Sequence, residues 1–147
     1  MRSPTALKTR RTKDEAERAA ALELRWRVFC VEQGVASELE ADGRDADALH
    51  VVALRDGAVI GTCRLVIDGD TAKLGRMAVE RAARGQGIGQ ALLEAAEREA
   101  RAAGARRIAL HAQTYVRDLY ARGGFVELGP PFDEAGIPHV RMEKLLA

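Results

Sequence analysis

From Ala16 to Val31 apolar residues recur at Ala16, Ala20, Leu24, Val28 and Val31, a three-to-four-residue period that predicts one buried helical face. Thr12 and Glu15 precede it at the spacing of a capping box, and Gly34 is placed to end the helix near Gln33. The period then changes. Leu49 to Arg55, Ala58 to Ile67 and Thr71 to Val79 are β-rich runs joined by the tight turns Asp56-Gly57 and Asp68-Gly69-Asp70, which predicts an antiparallel meander. Leu92, Leu93, Ala96 and Ala100 restore helical spacing up to Gly104. Arg106 to His111 reads as a short buried strand, joined to the meander by a parallel crossover through that helix. Thr114 to Arg122 follows as a short helix with Thr114 as N-cap and Gly123-Gly124 as its break. Phe125 to Leu128 begins a strand, Gly129-Pro130-Pro131 forces a loop, and His139 to Leu145 alternates as the last strand. At the other end, Thr5 to Arg11 reads as an edge strand, with a flexible basic tail over residues 1–12 as the alternative. The expected class is α/β (α+β): a mixed, mostly antiparallel sheet of six to seven strands flanked by helices.

With 147 residues and no linker or repeat, a single domain spanning 1–147 is expected. A net charge of +1 supplies no strong field for nucleic acid or membrane, and 4% aromatic content is poor for stacking bases. No apolar run approaches the roughly 18 residues of a spanning helix. The N-terminus has no apolar signal core, so a cytoplasmic location is expected. Cys30, Cys63 and the three histidines show no metal-ligand spacing, so no metal is expected and both thiols read as packed. Between Val35 and Ala48, Glu38, Glu40, Asp42, Asp45 and Asp47 face only Arg44. This segment is either a solvated acidic loop or a lid whose carboxylates attract a cationic amine.

One stretch carries more chemistry than the rest. After Val79 comes a basic turn with alternating Gly85, Gly87 and Gly89, and then the long helix. Glycines let the backbone close around a bulky group. The amides of the turn and of the helix start, together with Arg81 and Arg84, make an anion cradle suited to a phosphate or pyrophosphate. No Gly-Lys-Ser/Thr follows, which excludes a Walker loop. The G-x-G-x-G spacing is one residue short of the dinucleotide fingerprint, and the next strand ends at His111 without the acid that a ribose wants.

Arg84-x-x-Gly87-x-Gly89 resembles the R/Q-x-x-G-x-G/A pyrophosphate loop of the GCN5-related N-acetyltransferase (GNAT) family. The element order also resembles that family, over nearly the whole chain. Finer segments look like its ElaA-like branch: Leu24-Arg25-x-x-Val28-Phe29-x-Val31-Glu32-Gln33, Asp42-Gly43 with Asp45, Leu110-His111-Ala112-Gln113, and Ile137-Pro138-His139. The resemblance implies acetyl-CoA as co-substrate, with its diphosphate on Arg84, Gly85, Gln86, Gly87, Ile88 and Gly89. It also implies a cleft between the fourth and fifth strands, where the main chain of Met77, Ala78 and Val79 holds the pantetheine arm.

Acetyl transfer to an amine needs a positioned donor, a neutral attacking nitrogen and a protonated leaving sulfur. Tyr120 stands five residues before Phe125, as in the family's F-Y-x-x-x-G-F segment, and its phenol is the expected acid for the thiolate. Leu119 and Gly123 depart from that pattern, and the reduced bulk at Gly123 leaves room for a longer acyl donor. For the base, Glu32, His50, His111, His139 and a water relay all stay open. Glu32 would lie beside the acceptor opening, where it could also hold a cation. Neither cysteine has a base beside it in sequence, so direct transfer is expected in preference to an acetyl-cysteine route through Cys30. The expected acceptor is a small amine, a polyamine-like compound or a protein lysine or N-terminus, and the expected state a monomer or homodimer. A non-catalytic acyl-CoA-binding module is the alternative from another class.

Overall fold

The computed structural model describes residues 6–146. β1 (Lys8–Arg11) pairs antiparallel with β2 (Leu49–Arg55), so the edge-strand reading holds for its described part, while Thr5 lies outside the described residues. The chain between β1 and β2 holds α1 (Glu15–Arg25) and the single turn α2 (Ser37–Glu40), and β2, β3 (Ala58–Asp68) and β4 (Thr71–Val79) form the expected meander. The Asp56-Gly57 turn has φ of 54° and 76°, the left-handed pair that a two-residue hairpin requires. α3 (Ile88–Ala102) crosses to β5 (Arg107–Gln113), parallel to β4, and α4 (Arg117–Arg122) leads to the hairpin of β6 (Val126–Glu134) and β7 (Ile137–Leu145). The seven strands run in the order β1-β2-β3-β4-β5-β7-β6.

The main core lies between the sheet and α3, where Leu92, Leu93, Ala96 and Ala100 meet Val51, Cys63, Leu65, Leu74 and Ile108. Gly61 on β3 makes that approach possible: a Cβ there would come 2.9 Å from Ile88 Cγ2 and 3.0 Å from Leu92 Cδ1. The opposite face carries α1 (Glu15–Arg25), with Ala21 on Val52 and Leu54, and Leu24 and Val28 on Ala78.

Four local expectations are corrected. The cap of α1 is Asp14, whose Oδ1 accepts from the Glu17 amide at 2.9 Å, and Glu17 accepts in return from the Lys13 amide at 2.9 Å; the box therefore starts two residues later than Thr12. Arg10 explains the preference, because its guanidinium reaches both oxygens of Glu17 at 2.6 and 2.7 Å. Val31 is 60% exposed rather than buried, since Trp26–Glu32 continue α1 with π-helical geometry. The extra residue per turn carries later positions off the 3.6-residue stripe. Thr114 caps nothing with its side chain; Thr114–Val116 form a 3-10 turn before α4. Finally, Gly129-Pro130-Pro131 does not end β6, which absorbs it as a register shift between Leu128 and Phe132, and residues 129–131 have no partner on β7 that would need a proline N–H.

Candidate active site

β4 and β5 are paired only at Thr71–Leu74 against Arg107–Leu110. Beyond Leu110, β5 keeps its bonds to β7 but none to β4, so the two strands part. An irregularity in the β3–β4 ladder between Thr62 and Arg64 lies at the fork, and Arg76 there has φ of 54°. A non-glycine residue in that region is strained and needs anchoring. Arg76 has it: its guanidinium donates to the carbonyl of Glu40 at 3.1 Å and to Asp42 Oδ2 at 3.2 Å. The result is a cleft of about 950 Å³ walled by Gly75, Met77 and Val79 on one side and by Ala109, His111 and Gln113 on the other. The expected opening between the fourth and fifth strands is thus observed.

The glycine turn stands at one end of the cleft. Gly85 and Gly87 have φ of 78° and 80°, and a Cβ on either would meet nothing within 4 Å, so the turn faces open space. No side chain caps α3, and its first described bond runs from the Ala91 amide to the Gly87 carbonyl. The amides of Ile88, Gly89 and Gln90 are therefore left without an intrahelical acceptor. Gly89 lies where α3 meets the cleft wall, with its Cβ position 3.2 Å from Leu119 and 3.8 Å from Met77 Sδ. Gln86 accepts from Arg55 Nη1 at 2.7 Å. Arg84 Nε donates to the Val79 carbonyl at 3.1 Å, and its Nη2 reaches Glu32 Oε2 at 2.5 Å.

Tyr120, on α4, is buried, and its ring packs edge-on against Phe125 with centroids 5.9 Å apart. Its hydroxyl meets Met77 Sδ at 3.7 Å, on the free side of β4. Burial pushes the phenol well above its usual range, so it stays a neutral donor. The Leu119 and Gly123 departures are compensated by packing. Leu119 sits against Gly89, and the space beside Gly123 is filled by Leu93 Cδ2, 2.9 Å from a Cβ built there. A Cβ on Gly123 would therefore collide with Leu93.

The remaining candidates separate clearly. Glu32 is held by Arg84 and does not line the cleft, whereas its neighbour Gln33 does. Gln33 and Gln113 exchange amide bonds at 2.9 and 3.4 Å, tying the end of α1 to the end of β5. His50 lies on β2 away from the cleft, with Nε2 2.9 Å from the Asp45 carbonyl, and burial lowers its pKa. His111 and His139 both line the cleft and both approach Glu134. Cys63 is fully buried with its thiol pushed up to about 12, and burial also raises Cys30, so neither offers a ready thiolate. Among the described residues, no group of three or more His, Cys, Asp or Glu is arranged to hold a metal ion.

The acidic segment is neither a solvated loop nor a lure for cations, because its carboxylates bind three arginines of the fold. Arg25 is 1% exposed and grips Glu40 at 2.7 Å and Asp45 at 2.7 Å. Arg64 makes paired bonds to Asp42 at 2.7 and 2.8 Å, and Arg76 bridges Glu40 and Asp42. Only Glu38 and Asp47 are outside this network. The sequence did hold a sign of it: Arg25 follows Leu24 on the buried face of α1, and Arg64 alternates with Cys63 and Leu65 on a buried strand. Arginines at such positions need acids.

A family profile described as an acetyltransferase (GNAT) domain matches residues 11–146. An uncharacterized N-acetyltransferase of Bacillus subtilis, YjcF, is 32% identical over 133 residues, covering 90% of this chain and 95% of its own. An acyl-CoA N-acyltransferase from Pseudomonas aeruginosa superposes with a TM-score of 0.81 at 32% identity, over 95% of this chain and 99% of its own. ElaA of Escherichia coli shares the fold, with a TM-score of 0.82 at 24% identity over 95% and 99% of the two chains. The chain belongs to the GNAT acetyltransferase family and is an acyltransferase.

Proposed function

We infer that the chain moves an acetyl group from acetyl-CoA directly to an amine. One observation carries this reading: the unpaired edge of β4 runs from the open glycine turn to Met77, on which the Tyr120 hydroxyl rests. The amides of the turn and of the α3 start bind the diphosphate. The main chain of Met77, Ala78 and Val79, on the edge of β4 that β5 leaves unpaired, holds the pantetheine arm, which directs the thioester toward Tyr120. Membership of an acetyltransferase family supports the donor.

In the transfer, the lone pair of the neutral amine forms the C–N bond at the thioester carbonyl. The C–S bond breaks with its electron pair on sulfur, which takes the Tyr120 proton. The proton then lost by the new amide nitrogen restores the phenol. A phenol kept neutral by burial suits this role at any physiological pH.

Tyr120→Phe tests the reading. Thiol release from acetyl-CoA in the presence of an amine should fall about 100-fold, with calorimetric affinity for acetyl-CoA unchanged. An acyl-CoA sensor would be indifferent to the substitution, so unchanged function in the variant would overturn the enzymatic reading of Tyr120.

A further inference from the structure

Three carboxylates line the cleft, and two of them are neutralised: Glu40 by Arg25 and Arg76, Asp42 by Arg64 and Arg76. Glu134, at the end of β6, meets no lysine or arginine among the described residues. Its Oε1 lies 2.9 Å from His111 Nδ1, and its Oε2 lies 3.7 Å from His139 Nε2. The His139 ring is 8% exposed, and its Nδ1 lies 2.7 Å from the Ile137 carbonyl. A carbonyl only accepts, so Nδ1 carries the hydrogen and Nε2 of the neutral ring presents a lone pair. A lone pair and a carboxylate oxygen 3.7 Å apart are too distant to bond each other and lack a donor between them. A group with two donor hydrogens satisfies both, and a cationic amine also offsets the Glu134 charge.

The surroundings define the rest of the ligand. Phe132 stands edge-on to His111 at 5.0 Å and stacks on His139 at 6.1 Å. Tyr115 and Leu39, 70% and 58% exposed, line the cleft with Val116 and Ile137. The other charges nearby are already paired: Arg141, opposite His111 on β7, with Glu143, and Lys73 with Asp68. There is one anchoring anion beside an apolar wall.

We propose that Glu134 and His139 bind the acceptor through its ammonium and take its proton, and that the acceptor is a monoamine with an apolar or aromatic body rather than a polyamine. This rests on the amine-acetylating reading above. The ammonium gives one proton to the Glu134–His139 pair, from which it passes to solvent, and the freed nitrogen attacks as described.

Phenethylamine and spermidine serve as probes, each titrated by calorimetry into protein saturated with CoA and assayed for thiol release with acetyl-CoA. The wild type should bind and acetylate phenethylamine in preference to spermidine. Glu134→Gln, on an exposed strand, should weaken phenethylamine binding about tenfold with acetyl-CoA affinity intact. His139→Asn should lower kcat more than it raises KM. Intact acetyl-CoA binding with Glu134→Gln indifferent to the amine, or a preference for spermidine, would overturn this proposal alone. Wild-type protein that bound no acetyl-CoA would sink both it and the reading beneath it.

Discussion

Arg84 and Glu32, 52 residues apart, are joined at 2.5 Å, so the arginine of the glycine turn is held by the end of α1. Both side chains are partly exposed, at 44% and 27%, and such a pair is worth about 0–1 kcal/mol. On the binding mode proposed above, a diphosphate in the turn would compete with Glu32 for the same guanidinium. Glu32→Gln should therefore raise affinity for CoA about two- to fivefold, as read by calorimetry, with kcat unchanged. A fall in kcat of about tenfold or more would instead give Glu32 a part in proton transfer.

Gly87 tests the turn from the other side. Its φ of 80° strains any L side chain, yet a Cβ would find open space, so nothing inside the protein is displaced. Gly87→Val should cost about 1–2 kcal/mol of stability from backbone strain and should put its methyl groups in the space proposed above for the diphosphate. The expected outcome is a folded protein whose CoA affinity has dropped more than tenfold. Unchanged affinity would remove the turn from the binding site.

The strands of the meander, α3 and the glycine turn were legible because each is specified locally, by alternation, helical period or φ-permissive turns. β6 was cut short because Gly129-Pro130-Pro131 forbids a central strand, and nothing local tells the reader that it is an edge. The π-helical end of α1 left no mark on the hydrophobic pattern except Val31, which pointed the wrong way. At the candidate site, motif spacing placed the open glycine turn and Tyr120 at the parting of β4 and β5. Glu134 was invisible because its partners lie 23 residues back and 5 residues ahead on other strands, and only the β5–β7–β6 pairing brings His111, His139 and Glu134 together. The acidic segment was misjudged for a related reason: its counterions are on α1, β3 and β4, not in its own sequence neighbourhood.

That network makes Arg25 a stability determinant. The guanidinium is buried with Glu40 and Asp45, and its removal leaves two carboxylates short of a cation. Breaking such a pair from one side costs about 3–5 kcal/mol. Arg25→Met should show that loss in urea denaturation. Adding Glu40→Gln should recover part of it, since the uncompensated charge, rather than the lost packing, dominates the cost. Full additivity of the two substitutions would mean the pair is not coupled.

Acid should then destabilise the fold in two stages with different owners. Burial lowers the His50 pKa, against the pull of Asp45, so the folded state resists protonating it. A group depressed on folding contributes stability above its unfolded value, near 6.5 for histidine, and loses it as pH falls below. Asp42 is held far below its usual range, first by its hydrogen bonds from Arg64. Asp45 is also lowered: its burial acts the other way, but the bonds from Arg25 and Arg64 outweigh it. Their contribution is complete above about 3.9 and drains only below that. Thermal melts should therefore show Tm declining between about pH 6.5 and 5, then falling again below about pH 4. His50→Gln should flatten the upper stage and leave the lower one. Substitution of Asp42 by Asn should lower Tm at neutral pH and reduce the lower stage, and a melt profile indifferent to both would show that neither group carries the linkage.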